Sequence, residues 1–346
     1  MNELRRDPIS GRWTIIEKRE KINFHSLLKN KPAPPPQEPG ECPFCEGNEH
    51  KTPPETYAIR KPGTAPNTPG WDVRVIPDHD PVLQPHGPLE SWGYGIYDIV
   101  SGIGVHEILI EHPAHFSNVP DFSATHMEKV LQTVQARILA IKKDPRFRYV
   151  LLHKNYGEAS GTTLEHAYSH ILATPITPTR VKIELENAKA YFNFKERCIY
   201  CDLVHMEMDK KERMVLEDGV FLAITPFASH RPFEIWILPE EHETFFEQNE
   251  HLPALAETLI EIFRKIRDVL GNPDYIMTLH NGPNISASRR RGYWKTIHQD
   301  FHWHIEIVPR LHSYSSFEMG SGFSINPVPP EIAARILVEE IIPGMG

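Results

Sequence analysis

Residues 161–170, GTTLEHAYSH, decide how the rest of the chain is read. The small-residue turn Ser160, Gly161, Thr162, Thr163 leads into an expected β-strand from His166 to Thr174. Side chains alternate across a strand, so His166, Tyr168 and His170 point to one face. Three rings with polar tips in a row are poor core packing and mark a site. A second such row lies near the C-terminus, in DFHWHIEIVPR. There Asp300, His302, His304 and Glu306 share a face, with Phe301, Trp303, Ile305 and Ile307 on the other. Two such strands suggest a duplication.

The order of the remaining elements supports it. Strands are expected at 12–17, 71–77 (WDVRVIP) and 104–111 (GVHEILIE), the last leading to His112 and His115. Ser123 caps a helix to about Lys143, with Met127, Val130, Leu131, Val134, Ile138 and Ile141 on one face. Asp144-Pro145 ends it, and a strand follows at 148–154. The pattern then restarts with strands at 220–225 and 233–238, then His242. A helix at 253–270 buries Leu255, Leu259, Ile262, Phe263, Ile266 and Leu270, with Gly271 as its C-cap. A strand at 275–280, a polar loop at 281–299 and the His302 strand complete it. Each half thus reads C-x-x-C, strand, strand, His, helix, strand, loop, His strand. The expected fold is α+β, antiparallel sheets with packed helices, in two halves, 1–190 and 191–346.

All four cysteines lie in two C-x-x-C pairs, Cys42/Cys45 and Cys198/Cys201. The N-terminal stretch MNELRRDPIS has no apolar core of the signal-peptide kind, and no apolar run reaches the ~20 residues of a membrane span. A cytoplasmic protein without a membrane partner is expected, and there such pairs are metal ligands before they are disulfides. The net charge of −9 argues against nucleic acid as the main partner. Each pair is followed by two histidines in the same order: Cys42, Cys45, His115, His166 and Cys198, Cys201, His242, His302. Cys₂His₂ suits a tetrahedral structural zinc, one in each half. The second half offers a rival, Glu184, His280, His302 and His304, a carboxylate–histidine set suited to iron or zinc. His302 cannot serve two separate centres. The cysteine set is preferred, because a C-x-x-C with nothing to bind is hard to explain.

Taken in order, the motifs resemble the galactose-1-phosphate uridylyltransferase family of the histidine-triad superfamily. The resemblance runs through RRDPISGRWTII, CPFCEGN, VRVIPDHDPVL, HEILIEHPAHF, LLHKNYGEASGTTLEHAYSHI, FLAITPFASHRPFEIWILPEEH, LHNGP, FHWHIEIVPR and FEMGSGFSINPVPPE. The last two stretches look most like the branch that includes plant ADP-glucose phosphorylase. The resemblance implies two histidine-triad-like halves, a homodimer, and nucleotidyl transfer between a nucleotide sugar and a sugar phosphate. In the family the strand motif is G-x-S-x-x-H-P-H-x-Q. Its first histidine binds zinc, its second attacks the α-phosphorus and carries the nucleotide, and its glutamine holds phosphate oxygens.

Against that pattern Gly161 and His166 match the glycine and the zinc histidine. Tyr168 stands in place of the attacking histidine, His170 in place of the glutamine and Thr163 in place of the serine. Asn155 matches the asparagine that supports the intermediate, and Glu318 falls where the family contacts sugar hydroxyls. Cys198/Cys201 is the double-zinc variant of the family, while Glu184, His280, His302 and His304 match its iron variant.

The substitution at Tyr168 changes the chemistry. A phenol with a pKa near ~10 yields little phenolate at neutral pH without a base or cation. His170, roughly 6–7 Å along the same face, is a candidate base, a displaced nucleophile, or a phosphate-binding replacement for glutamine. Three readings follow: a nucleotidyltransferase or phosphorylase with altered catalytic residues, a nucleotide-sugar binding protein without catalysis, and a hydrolase using His304. The first is preferred. The run Arg289–Arg291 reads as a solvated charge run, with phosphate clamping as the alternative.

Overall fold

The computed structural model describes residues 1–18, 22–28, 40–115, 118–162, 164–287 and 294–342. Thr163 and Arg289–Arg291 lie outside the described residues. The chain builds one ten-stranded antiparallel sheet. Its first five strands are β1 (Tyr57–Arg60), β2 (Trp71–Pro77), β3 (Val105–Ile110), β4 (Tyr149–Tyr156) and β5 (Tyr168–Thr174). The second five are β6 (Met214–Glu217), β7 (Phe221–Ile224), β8 (Ile235–Pro239), β9 (Tyr275–His280) and β10 (His304–Pro309). Their spatial order is β6-β7-β8-β10-β9-β4-β5-β3-β2-β1. Reading inward from either edge gives the same sequence of equivalents, each strand matched by the one five later. The expected duplication is therefore written into the strand order, with β4 and β9 paired across the join (Tyr275 opposite Tyr156, Leu279 opposite Leu152).

Two helices, α1 (Ala124–Ile141) and α4 (Leu252–Leu270), pack together over one face of the sheet. The Ser123 hydroxyl accepts from the His126 N–H at 3.2 Å and opens α1. Gly271, at φ 72°, closes α4 in the left-handed conformation that favours glycine. The apolar positions expected on both helices are all buried. They meet Leu109 of β3, Ile171 and Ala173 of β5, and Ile305 and Ile307 of β10. Strand alternation sends Tyr168, His170, His304 and Glu306 to the opposite face.

That opposite face is covered unequally. Helices α2 (Thr179–Lys195) and α3 (Ile199–Lys210), which the sequence reading left unassigned, pack Val181, Leu185, Tyr200 and Val204 against Leu222, Trp236 and Leu238 of the second half. The expected division after residue 190 falls inside α2. In the first half the covering residues are Phe44 and Trp71, with Cys42 and Cys45 beside them.

Two expected strands begin later than predicted. His166 precedes β5 by two residues, and β10 begins at His304, so His302 also precedes its strand by two. Asp300 belongs to a one-turn helix, Ile297–Asp300, and is not on the His304–Glu306 face as expected. Both histidines stand where the chain bends into a strand, which frees their side chains from the pleat.

Candidate active site and metal-binding groups

The CPFC turn brings Cys42 and Cys45 to the end of β3, where His115 follows, and to the start of β5, where His166 waits. Cys45 Sγ lies 3.3 Å from His115 Nδ1, and His166 Nδ1 lies 3.7 Å from Cys42 Sγ and 3.8 Å from Cys45 Sγ. All four donor atoms fall within 4.8 Å of one another and all four residues are buried. Tetrahedral zinc with ordinary bond lengths separates its sulfur and nitrogen donors by roughly 3.5–3.8 Å, so the donors fit such an ion. His166 Nε2 donates to the His112 carbonyl at 2.6 Å, which leaves the Nδ1 lone pair facing the sulfurs. Burial, with Cys42 alongside, pushes the Cys45 thiol up to about 12, and burial draws His166 down to about 4. A soft cation reverses the first cost and needs the neutral imidazole the second provides.

The second group repeats the first. Cys198 caps α3 and Cys201 sits in its first turn. Cys201 Sγ lies 3.2 Å from His242 Nδ1 and 3.9 Å from His302 Nδ1, and the four donors again lie within 4.8 Å. The structure thus brings together both predicted Cys₂His₂ sets.

The rival carboxylate–histidine set comes together without His302. Glu184 of α2, His280 at the end of β9 and His304 at the start of β10 form their own buried group. His280 Nδ1 lies 2.9 Å from Glu184, and its Nε2 lies 3.2 Å from Glu306. With a carboxylate on each nitrogen, the ring carries both protons. Burial opposes that charge, but the carboxylates outweigh it and raise its pKa to about 10. A metal ion would have to displace one of these protons, so the group holds either a buried ion pair or an ion on Glu184, His280 and His304. His304 lies stacked on His280 at 4.5 Å and against Trp236 at 5.1 Å, 1% exposed. The hydrolase reading, which uses His304, therefore places its nucleophile deeper than Tyr168, which is 7% exposed.

The first half keeps the equivalent position nearer to solvent. Tyr168 is buried among Phe44, Trp71, Ile108 and Ile110, edge-on to Phe44 and to His170, each at 5.3 Å. His170 is 19% exposed and stacks on His153 at 5.0 Å. The buried Lys154 donates to Glu111 at 2.7 Å and to the Tyr168 carbonyl at 3.1 Å, and Glu111 also accepts from Ser169 at 2.5 Å. These bonds fix the start of β5. Asn155 is half-buried near the end of β4. Gly161, at φ 86°, turns the chain with open space around it. Glu318 forms a capping box with Ser315 on α5 (Ser316–Ser321) and pairs with Arg231 at 3.1 Å.

Sequence reasoning missed Asp78, His106 and His153, which gather around His170. The signal was present in HEILIE, where alternation puts His106 on the face of Ile108 and Ile110. It also missed Lys154 and Glu111, whose pairing needs the strand register.

A paired antiparallel sheet with a Cys/His group at the entry of each equivalent strand defines a doubled histidine-triad-like scaffold. Residues 184–328 match the model described as "Galactose-1-phosphate uridyl transferase, C-terminal domain", and residues 97–175 match "Domain of unknown function (DUF4931) N-terminal domain". The ADP-glucose phosphorylase of Arabidopsis thaliana is 31% identical over 341 residues, 97% of this chain and 92% of that protein. The galactose-1-phosphate uridylyltransferase of Thermotoga maritima is 25% identical, covering 98% of each chain. Among solved structures, Arabidopsis thaliana ADP-glucose phosphorylase with bound ADP-glucose superposes with a TM-score of 0.79 at 28% identity, covering 98% of each chain. A uridylyltransferase structure gives 0.73 at 26% identity, again covering 98% of each. The chain belongs to the galactose-1-phosphate uridylyltransferase family.

Proposed function

We propose that this protein is a nucleotidyltransferase that moves a nucleoside monophosphate between a nucleotide sugar and a sugar phosphate or inorganic phosphate. The observation that carries the proposal is the first-half site. A Cys/His group stands at the entry of β5, and on the face that is closed in the second half the buried Tyr168 is followed by a partly exposed His170. The names of relatives that match nearly the full length support the same class of reaction. Tyr168 and His170 are the catalytic pair in this reading, with Asn155, Gly161, Thr163 and Glu318 as substrate contacts. Zinc held by Cys42, Cys45, His115 and His166 and by Cys198, Cys201, His242 and His302 acts as a structural pin and takes no part in the chemistry. The halves 1–190 and 191–346 are read as products of one duplication, supported by the strand order. The working form is a cytoplasmic homodimer; among the described residues no helix is long and apolar enough to cross a membrane.

The apolar packing of Tyr168 favours a second reading, a nucleotide-sugar binding protein without turnover. One experiment separates them. The zinc-loaded chain is incubated with labelled UDP-glucose or ADP-glucose, with and without galactose 1-phosphate or phosphate, and products and protein adducts are followed by mass spectrometry. Transfer or phosphorolysis, lowered by Tyr168→Phe if Tyr168 carries the nucleotide, supports the first reading. Binding without product supports the second, and neither binding nor product refutes both.

A further inference from the structure

We propose that His106 and Asp78 act as positioning residues that hold His170 with its proton on Nε2, so that His170 presents a hydrogen-bond donor to a phosphoryl oxygen and does not attack phosphorus. The inference rests on the nucleotidyl-transfer reading for the identity of the ligand, and on geometry alone for the proton.

The protons can be followed atom by atom. His106 Nε2 lies 3.2 Å from Asp78 Oδ2, and a carboxylate accepts only, so that nitrogen carries the proton. The other ring nitrogen agrees, since His106 Nδ1 accepts from the Val82 N–H at 3.4 Å. The same Nε2–H lies 3.1 Å from His170 Nδ1. His170 Nδ1 must therefore offer its lone pair, and a neutral His170 then has its proton on Nε2. Burial holds both imidazoles below their ordinary pKa, which favours the neutral rings that this hydrogen bonding calls for. Asp78 Oδ2 is 3.9 Å from His170 Nδ1, too far to accept a hydrogen bond from it, so the His106 N–H is the partner that Nδ1 has. The Asp78 carboxylate is itself oriented, because its Oδ1 accepts from the Asp80 N–H at 2.9 Å.

The ring plane is fixed as well. His153 stacks on His170 with an interplanar angle of 10°, and Tyr168 meets the ring edge-on at 5.3 Å. His170 Nε2 has no hydrogen-bond partner among the described residues and is not a buried atom, so its N–H is available to a ligand beside Tyr168. An attacking imidazole needs the opposite arrangement, a free lone pair outward and a proton inward. The pair therefore assigns His170 the task of an amide N–H: a neutral, oriented donor that engages a phosphoryl oxygen without a covalent bond.

The test is a multiple-bond proton–nitrogen correlation spectrum of the full, zinc-loaded chain labelled with ¹⁵N-histidine, recorded at pH 7.5 without ligand. His170 is expected to show a protonated Nε2 and an unprotonated Nδ1, and His106→Ala to return it to a mixture of tautomers. In ADP-glucose and UDP-glucose titrations, His170→Phe is expected to weaken the tighter ligand at least about tenfold, and His170→Gln, which restores an N–H, clearly less. A protonated His170 Nδ1 in the wild type, an unchanged tautomer in His106→Ala, or a nucleotidyl adduct on His170 overturns the proposal. So does a third equivalent of metal that Asp78→Asn removes, because a cation would then occupy the place assigned to the proton. The spectrum needs no turnover, so absence of nucleotidyl transfer leaves this result distinct from the failure of the proposed function.

Discussion

Replacing His280 by glutamine probes the closed half of the molecule. The imidazole lies between Glu184 at 2.9 Å and Glu306 at 3.2 Å, all three residues buried. Its pKa rises from 6.5 to about 10, which corresponds to stabilisation on the order of 5 kcal/mol. Removing one partner of a buried ion pair costs roughly 3–5 kcal/mol, a figure reached independently. His280→Gln is therefore expected to lower the unfolding free energy at pH 7 by about 3–5 kcal/mol. The folded pKa lies above the unfolded one, so the stabilisation is complete below about 6.5 and is lost as pH climbs through about 10. Between those limits this one group costs the wild type up to about 1.4 kcal/mol per pH unit, a slope the variant lacks. Urea unfolding of the zinc-loaded proteins at pH 7, 8.5 and 10 measures both quantities. The triple variant Glu184→Gln, His280→Gln, Glu306→Gln removes the stranded charges and is expected to recover much of the loss. A loss below about 1 kcal/mol, a pH slope unchanged in the variant, or a metal ion bound by Glu184, His280 and His304 would refute the ion-pair reasoning.

Three other perturbations test the rest of the frame. Lys154→Met strands the buried Glu111 carboxylate and is expected to cost about 3–5 kcal/mol in urea unfolding, while Lys154→Met with Glu111→Leu recovers part of it. Cys42→Ser is expected to remove one equivalent of zinc by elemental analysis and to lower the melting temperature, leaving the Cys198 group loaded. Ser315→Ala removes the hydroxyl that accepts from the Glu318 N–H at 3.3 Å, and should cost about 1 kcal/mol by the same unfolding assay.

Much of this architecture can be read from local pattern. The two long helices have apolar faces that repeat at helical spacing, and WDVRVIP and YIMTLH fold as strands with the expected ends. The two Cys₂His₂ sets are legible because C-x-x-C is short and its partners recur in the same order. What stays hidden depends on register and on tertiary cover. α2 buries only Val181, Glu184, Leu185 and Ala188, so its sequence has no broad apolar stripe to announce a helix. Its importance comes from where it lands. The His106–His170 contact exists because Ile108 pairs with His170 across β3 and β5, which places His106 two residues along on the same face. No spacing rule supplies that pairing.

The duplicated strands fix where chemistry can occur. Tyr168 opens β5 and His304 opens β10, each two residues after a histidine of its Cys/His group, and His170 and Glu306 follow at the same step. Equivalent positions then diverge because their cover differs. Over β10, Tyr200 of α3 lies 6.1 Å from the His302 ring and 5.4 Å from the His304 ring. Burial at that depth requires charged groups to be paired, as they are in the Glu184–His280–Glu306 network. Over β5 the apolar cover contains no helix residue among the described residues, only the CPFC turn, Leu164 and neighbouring strands. That thinner layer buries Tyr168 but leaves His170 19% exposed. On the proposed reading a ligand meets this sheet at β5, and a group at β10 influences it through stability. His304→Ala should accordingly weaken the fold, while the protein that remains folded binds nucleotide sugar as the wild type does. Loss of binding in a folded His304→Ala protein would place the ligand at the other half and reverse this assignment.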